Sequence, residues 1–543
     1  MNPEGSPTVV LAFDGLAFEH LDAFAPDLPH LSSLRERGVD VPLRSTFPPW
    51  TGSAWPSMYT GVDPSHHGIY DFFNYDRYPD TAEIITRNDV RALALWDYLT
   101  AVDVPSVVLN MPVTCPTDPI NGALIPGYLS PEDAPGYPAE IRDDLEAAIG
   151  EYRIYSRAEM SSNEARKLAG YAELIDIRRR AAAYLLSEVD WELAIVQVQK
   201  TDAVFHNFSD SAAFRRVYRA ADELVGTVLD TVDETANVIV CSDHGIGSAT
   251  GFNIYVNEVL RDHGLVETAT ESKEPSLGRT KQRLTGATGE SQDGTSLPLS
   301  ARAISTVIST LSSAGVAPGD VHTAAQRLGV EPVLTRLMPT DVDAHMHVDW
   351  SESRAYCRSE SESGVRINLE GRDPDGVVPS SAYEDVCSRI VRTLGALKTP
   401  DGNPAFEFVK RREEVYDGPY LEDACDILFL PREMNNTVST TLPGKRFVPV
   451  DTFNHKRNGV FVGAGPGLDT AASLDELSLT DVAPIVMALL GYDVPVPMTG
   501  SVPNGLLRRS VSRGDYPNVE FATGGDDLRD DRIEQRLADL GYL

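Results

Sequence analysis

The sequence predicts an α/β fold built on a doubly wound sheet flanked by helices, with an inserted cap segment. Three observations carry this reading. Apolar, β-rich runs recur along the chain, each ends in a polar or glycine-bearing loop, and helical patterns follow those loops. Thr8 to Phe13 runs into Asp14-Gly15, and Ser106 to Leu109 runs into Asn110-Met111-Pro112. Leu193 to Val198 precedes Thr201-Asp202, and Asn237 to Cys241 precedes Ser242-Asp243-His244-Gly245. Carboxylates and imidazoles therefore stand just past strand ends, the edge at which open α/β sheets bind ligands.

The two halves of the sheet are expected at 1–266 and 346–510, separated by a partly flexible, cap-like insertion at 267–345. Ser, Thr, Gly and charged residues dominate 268–300, and helical runs such as Ala301 to Ile308 follow. Core-like sequence resumes near Val348-Asp349-Trp350, and Leu479 to Gly491 reads as an amphipathic helix. Residues 511–543 read as an acidic tail with a short helix from Arg529. No internal repeat is visible.

Composition narrows the function classes. With 47 Lys and Arg against 81 Asp and Glu, the net charge is −34. That argues against a nucleic-acid binder, whose phosphate contacts need clustered cations. Only eight of the cations are Lys, and an acidic, Lys-poor surface suits a protein working in high intracellular salt; biased Arg codon usage is the plainer alternative. Five scattered cysteines (115, 241, 357, 387 and 425) form no CxxC pair and read as small buried hydrophobes. No apolar stretch approaches the ~18 residues of a membrane span, and the start lacks a basic region followed by an apolar one, so a cytoplasmic protein is expected.

The candidate chemistry lies in short clusters. Asp202 and His206 are four apart and share a face of a helical turn. Asp243 and His244 are adjacent at a strand end, His455 stands before the apolar Val460-Phe461-Val462, and Asp14 follows the first strand. Together they offer three carboxylates and three imidazoles without a thiolate, a donor set suited to Zn²⁺, Mn²⁺ or Fe in a hydrolytic site. Taken singly, each has a plainer reading as a helix cap or a hydrogen-bonded structural residue. Thr51 follows the proline-restricted Phe47-Pro48-Pro49-Trp50 at the predicted start of a helix. It reads either as a plain N-cap or as a nucleophile toward an anionic phosphate held at the same helix terminus.

These residues resemble the alkaline phosphatase superfamily, specifically its type I phosphodiesterase/nucleotide pyrophosphatase branch. The resemblance rests on Thr51, Thr60-Gly61 nine residues on, and Pro64-Ser65-His66-His67-Gly68-Ile69. It extends through Asn110 to Thr114, Ile125 to Tyr128, Asn257 to Leu260, Glu413 to Tyr416 and Gly465-Pro466-Gly467. It implies an alkaline-phosphatase-like sheet and two divalent metal ions, Zn²⁺ or Mn²⁺. Asp14, Thr51, Asp243 and His244 would hold one; Asp202, His206 and His455 would hold the other. The implied activity is hydrolysis of phosphodiester or pyrophosphate bonds in a small phosphorylated substrate, with Thr51 as nucleophile. The alternatives are a phosphotransferase or mutase, or a phosphomonoesterase, on the same scaffold. One position departs: the family Asn twenty-one residues after the nucleophile is Phe72 here, and Asn74 or a backbone N–H is left to take its part.

Other features carry less. His345 and His347 border the insertion and are read as structural, as are His66 and His67, which are expected to position loops. Gly463 to Gly467 lacks the Lys-Ser/Thr ending of a phosphate loop and reads as a turn beside the site.

Overall fold

The computed structural model describes residues 5–75, 82–159, 161–269, 346–472, 474–516 and 519. Nearly all of the predicted insertion, including the helical run at 301–308 and His345, and the predicted tail helix lie outside them.

An eight-stranded sheet organises the fold. Numbered along the chain within this sheet, its strands are β1 (Thr8–Phe13), β2 (Val39–Arg44), β3 (Ser106–Met111), β4 (Gly122–Pro126), β5 (Leu193–Val198), β6 (Asn237–Ser242), β7 (Asn458–Ala464) and β8 (Leu477–Ser478). Their order is β8-β2-β7-β6-β1-β5-β3-β4. Every pairing is parallel except those of β7 with β2 and β6. The four strands anticipated from sequence are β1, β3, β5 and β6, each buried along its whole length. Continuous Val/Ile/Leu runs of this kind suit parallel strands covered on both faces. Helices Glu164–Glu188 and Ser211–Thr231 pack on one another, burying Leu174, Leu185, Val217 and Leu224.

Register decides where the chemistry falls. β1 lies between β5 and β6, with Phe13 level with both Val198 and Ser242. The residues that follow these three strands therefore emerge side by side. β7 runs the other way, so the chain enters it at that same edge. The preceding strand, Thr452–Lys456, pairs antiparallel with Gly245–Ala249 and sets His455 opposite Ile246.

A smaller antiparallel sheet of Ala355–Tyr356, Gly364–Ile367, Ile427–Pro431 and Phe406–Arg411 packs with helix Tyr383–Gly395 around a second core containing Val365, Ile390 and Phe429. All five cysteines are buried and unbridged, as expected for small hydrophobes.

Two local readings are corrected. The segment predicted as an amphipathic helix is a 3₁₀ turn, Leu479–Asp481, followed by helix Val482–Leu489, whose eight residues are all buried. It packs against the helix that begins at Thr51 and has no wet face. The glycine-rich turn at 463–467 is not beside the candidate site. Gly467 N donates to Asn237 Oδ1 at 2.9 Å, at the start of β6, because the reversed β7 carries the chain away from the edge where β6 ends.

Candidate metal centre

The convergence begins with backbone contacts. Asp14 N donates to Val198 O at 2.9 Å, and Thr201 Oγ1 donates to Asp14 O at 2.6 Å, tying the end of β1 to β5 and the helix after it. Gly15 N donates to Asp243 Oδ1 at 3.2 Å and Leu16 N to Ser242 Oγ at 2.7 Å, tying the same turn to β6. Gly15 has φ +65°, and a Cβ there would stand 2.7 Å from both Cβ and Oδ1 of Asp202. Only glycine allows this approach.

Helix α1 (Thr51–Thr60) begins at Thr51, with an extended Trp50 as its cap residue. The Thr51 hydroxyl does not cap the helix. Its Oγ1 lies 3.5 Å from Asp14 Oδ1 and 3.4 Å from His244 Nε2. Helix α2 (Lys200–Asn207) places Asp202 and His206 one turn apart, with His206 Nε2 3.1 Å from Asp202 Oδ2. His455 Nε2 lies 3.7 Å from Asp202 Oδ1, and its ring stacks on that of His244 with centroids 3.8 Å apart. Asp202, His244 and His455 form one compact set of candidate ligand atoms; Asp14, Asp243 and His244 form another. All seven residues singled out in the sequence thus meet at one edge, with His244 common to both sets.

Two rings are oriented by carbonyl oxygens. His244 Nδ1 is 3.0 Å from Gly245 O, and His455 Nδ1 is 3.1 Å from Pro49 O. A carbonyl only accepts, so Nδ1 carries the proton in each and Nε2 presents its lone pair to the site. Holding the far nitrogen of an imidazole on a backbone oxygen is how metal-binding histidines are aimed.

The electrostatics are severe. Asp14, Asp202 and Asp243 are fully buried. Burial, then Asp243 and Asp202, push the Asp14 carboxyl well above its ordinary range. Burial pushes Asp243 up to about 6. Asp202 goes the other way: burial opposes its charge, but His206, His455 and His244 hold it well below the usual range. His455 is pushed far down by burial and by His244. Burial also opposes the His206 cation, but Asp202 overrides it and raises that pKa. Oδ2 of Asp14 and Oδ2 of Asp243 are buried and accept no hydrogen bond among the described residues. Three buried carboxylates, two of them with an oxygen that accepts no hydrogen bond among the described residues, and two aimed imidazoles form a donor set that fits divalent cations without thiolates.

The neighbours account for the secondary candidates. His67 Nε2 is 2.9 Å from Ser57 Oγ, and its Nδ1 accepts from Ile69 N at 3.1 Å; burial lowers its pKa to about 3, consistent with a neutral ring that ties a loop to α1. His66 stands with Asp63 and Asp417 in a separate, more exposed group. Phe72, at the departing family position, is buried and packs over Gly52, where a Cβ would meet its ring at 3.1 Å. Asn74 donates its side-chain amide to Asp89 at 3.0 Å.

Sequence reasoning missed a buried ion pair. Lys200, first residue of α2, pairs with Glu159; their side chains are 1% and 3% exposed. Its signal was present, because Lys200 is one of only eight lysines and directly precedes Thr201-Asp202. Trp50, whose ring centroid lies 4.3 Å from that of His455, was also passed over.

This arrangement, candidate metal ligands and a helix-terminal threonine at the carboxyl edge of a mainly parallel sheet, is that of an alkaline-phosphatase-like hydrolase. A model of the family "Type I phosphodiesterase / nucleotide pyrophosphatase" matches residues 8–448, and the chain belongs to that family. Among solved structures, phosphonoacetate hydrolase from Sinorhizobium meliloti 1021 in complex with phosphonoformate superposes with a TM-score of 0.51 at 16% identity, covering 90% of this chain and 96% of that one. The same enzyme in complex with phosphonoacetate gives a TM-score of 0.50 at 16% identity over the same shares. Comparison with curated proteins by sequence found no match. No helix among the described residues is long and apolar enough to cross a membrane.

Proposed function

We propose that this enzyme hydrolyses phosphodiester or pyrophosphate bonds in a small phosphorylated substrate, with Thr51 as nucleophile. Asp14, Thr51, Asp243 and His244 would hold one divalent cation and Asp202, His206 and His455 the other, Zn²⁺ or Mn²⁺. The observation that carries this reading is the Thr51 hydroxyl, released from capping and held within 3.5 Å of both Asp14 and His244.

Bound there, two cations would neutralise the substrate's phosphoryl charge and activate the attacking and leaving oxygens. The chain's own part follows from its contacts. Thr51 Oγ1 attacks phosphorus, the bond from phosphorus to the leaving oxygen breaks, and the leaving group departs with a proton from solvent. Asp14 Oδ1 and His244 Nε2, within 3.5 Å of Thr51 Oγ1, hold the hydroxyl in place, and its proton passes to solvent because a cation held by these residues would lower the hydroxyl pKa. Water then cleaves the phosphothreonine ester, restoring Thr51 and releasing the phosphoryl product. The terminus of α1 faces the same point, where its dipole favours an anion.

The net charge of −34 supports operation in a salt-rich cytoplasm, and activity should then rise with KCl. The function is tested by comparing a phosphodiester, a pyrophosphate diester and a monoester at high salt with Zn²⁺ or Mn²⁺. The expected result is a kcat/KM at least about tenfold higher for a diester or pyrophosphate than for the monoester. Equal or faster monoester turnover would reject it in favour of the phosphomonoesterase or phosphotransferase reading.

A further inference from the structure

A second cavity, of about 220 Å³, lies between the loop that follows α1 and the smaller antiparallel sheet. Its floor includes Asp71, whose carbonyl oxygen would stand 3.1 Å from a Cβ on Gly52, so one layer of backbone separates it from the start of α1. Ser361 Oγ donates to Asp71 Oδ1 at 2.5 Å across the two walls. None of the seven metal-centre residues lines it.

The lining is charged but internally matched. Four arginines and five carboxylates face the cavity. At the rim, Arg91 pairs with Asp423 at 2.6 Å, their side chains 40% and 44% exposed. Deeper, Arg358 pairs with Glu362 at 2.6 Å, with side chains 7% and 2% exposed, and Arg366 pairs with Asp373 at 3.1 Å. Arg366 spends Nε on Asp373 and Nη1 on the carbonyls of Glu422 and Ala424, and Arg91 spends Nη1 on Asp423. A guanidinium has five N–H donors, so both retain donating capacity. Aromatic faces complete the wall: Tyr75 lies under the Arg358 guanidinium at 4.0 Å, and Tyr356 lines the same space.

Charge decides what such a cavity accepts. An oxyanion would join five carboxylates, and a cation would meet four guanidiniums. A neutral polyhydroxy molecule avoids both penalties, because each hydroxyl donates to a carboxylate and accepts from a guanidinium while the ion pairs stay intact. The volume suits one monosaccharide-sized molecule rather than a drug-sized ligand. We propose that this cavity is a binding site for a neutral, monosaccharide-sized polyol, separate from the metal centre. Its position one backbone layer behind Gly52 makes it the site of an effector or a product-like sensor rather than of the reacting phosphoryl group.

The test is calorimetric titration of the purified full-length protein with glucose, galactose, mannose and myo-inositol, with inorganic phosphate and glycine as charged probes. Saturable binding of at least one polyol, near about 1 mM or tighter, is expected. The double variant Arg358→Met/Glu362→Met removes the deep pair in near-isosteric form, a change that buried ion pairs often tolerate in folding, and should weaken binding at least about tenfold. Arg91→Ala, at the exposed rim, preserves folding in any case and should weaken it about threefold. Saturation by phosphate or glycine without any polyol would overturn the proposal. So would the absence of saturation by every polyol, or polyol binding unchanged in both variants. The readout is heat of binding, so its failure is independent of whether Thr51 is the nucleophile.

Discussion

Gly15→Ala tests whether the turn after β1 sets the position of Asp202. The left-handed backbone at φ +65° costs an L-residue about 1–2 kcal/mol. The new Cβ would stand 2.7 Å from the Cβ and Oδ1 of Asp202 and 3.1 Å from its Cα. Ordinary carbon contacts begin near 3.4 Å, so Asp202 must retreat by roughly 0.7 Å. Overpacking of this kind adds about 1–3 kcal/mol, for a total loss of about 2–5 kcal/mol. Metal-ligand distances tolerate only about 0.2 Å, so affinity at the Asp202 site should fall about 10–100-fold. Gly264→Ala is the matched control, with φ +61° but nothing within 4 Å of the added carbon. It should lose only the backbone cost of about 1–2 kcal/mol and leave metal affinity unchanged. Urea unfolding measures the first quantity, and Zn²⁺ titration against a chromophoric chelator measures the second. Equal stability losses in the two variants, with wild-type metal affinity in Gly15→Ala, would refute the argument that this glycine makes room for Asp202.

Thr51→Ala should retain bound metal and fold yet keep less than about a hundredth of the wild-type rate, measured by steady-state kinetics with metal analysis. In chelator, the Asp243 carboxyl raised from 3.8 to about 6 favours its protonated form in the folded state, so its contribution to stability is present at low pH and lost as pH rises through about 6. Urea unfolding from about pH 5 to 8 should therefore show wild type losing roughly 1 kcal/mol more than Asp243→Asn, the part of the shift that lies above pH 5; parallel slopes would remove this carboxyl as the source. Lys200→Met, which strands the buried Glu159, should destabilise by about 3–5 kcal/mol, and adding Glu159→Met should restore most of the loss. A double variant no more stable than Lys200→Met would show that the lysine acts through something other than this pair.

How much of the site was legible can be followed residue by residue. Asp14, Asp243 and His244 were visible because each follows an apolar β-run, and a strand's end marks the sheet edge. Asp202 and His206 were visible through their four-residue spacing, which one helical turn makes contiguous. The Thr51 motif was visible only through the family resemblance, which sets a threonine nine residues before a Thr-Gly pair such as Thr60-Gly61. The chain also pointed to a parallel α/β sheet, because strands buried on both faces need uninterrupted apolar runs. Its spacing contains nothing that tells a wet helix from a fully enclosed one at Val482–Leu489, since enclosure depends on what packs on the far side. Only the tertiary structure set β1 between β5 and β6 in level register, which turns three separate loop ends into one cluster. Only the reversal of β7 brought His455 to that cluster and carried the glycine-rich turn away from it. Strand order and direction come from long-range pairing, and local sequence encodes each strand's existence far more strongly than its neighbour. The Lys200–Glu159 pair and the polyol cavity belong to the same class: both join segments distant along the chain, and proximity of that kind arises only when the sheet is assembled.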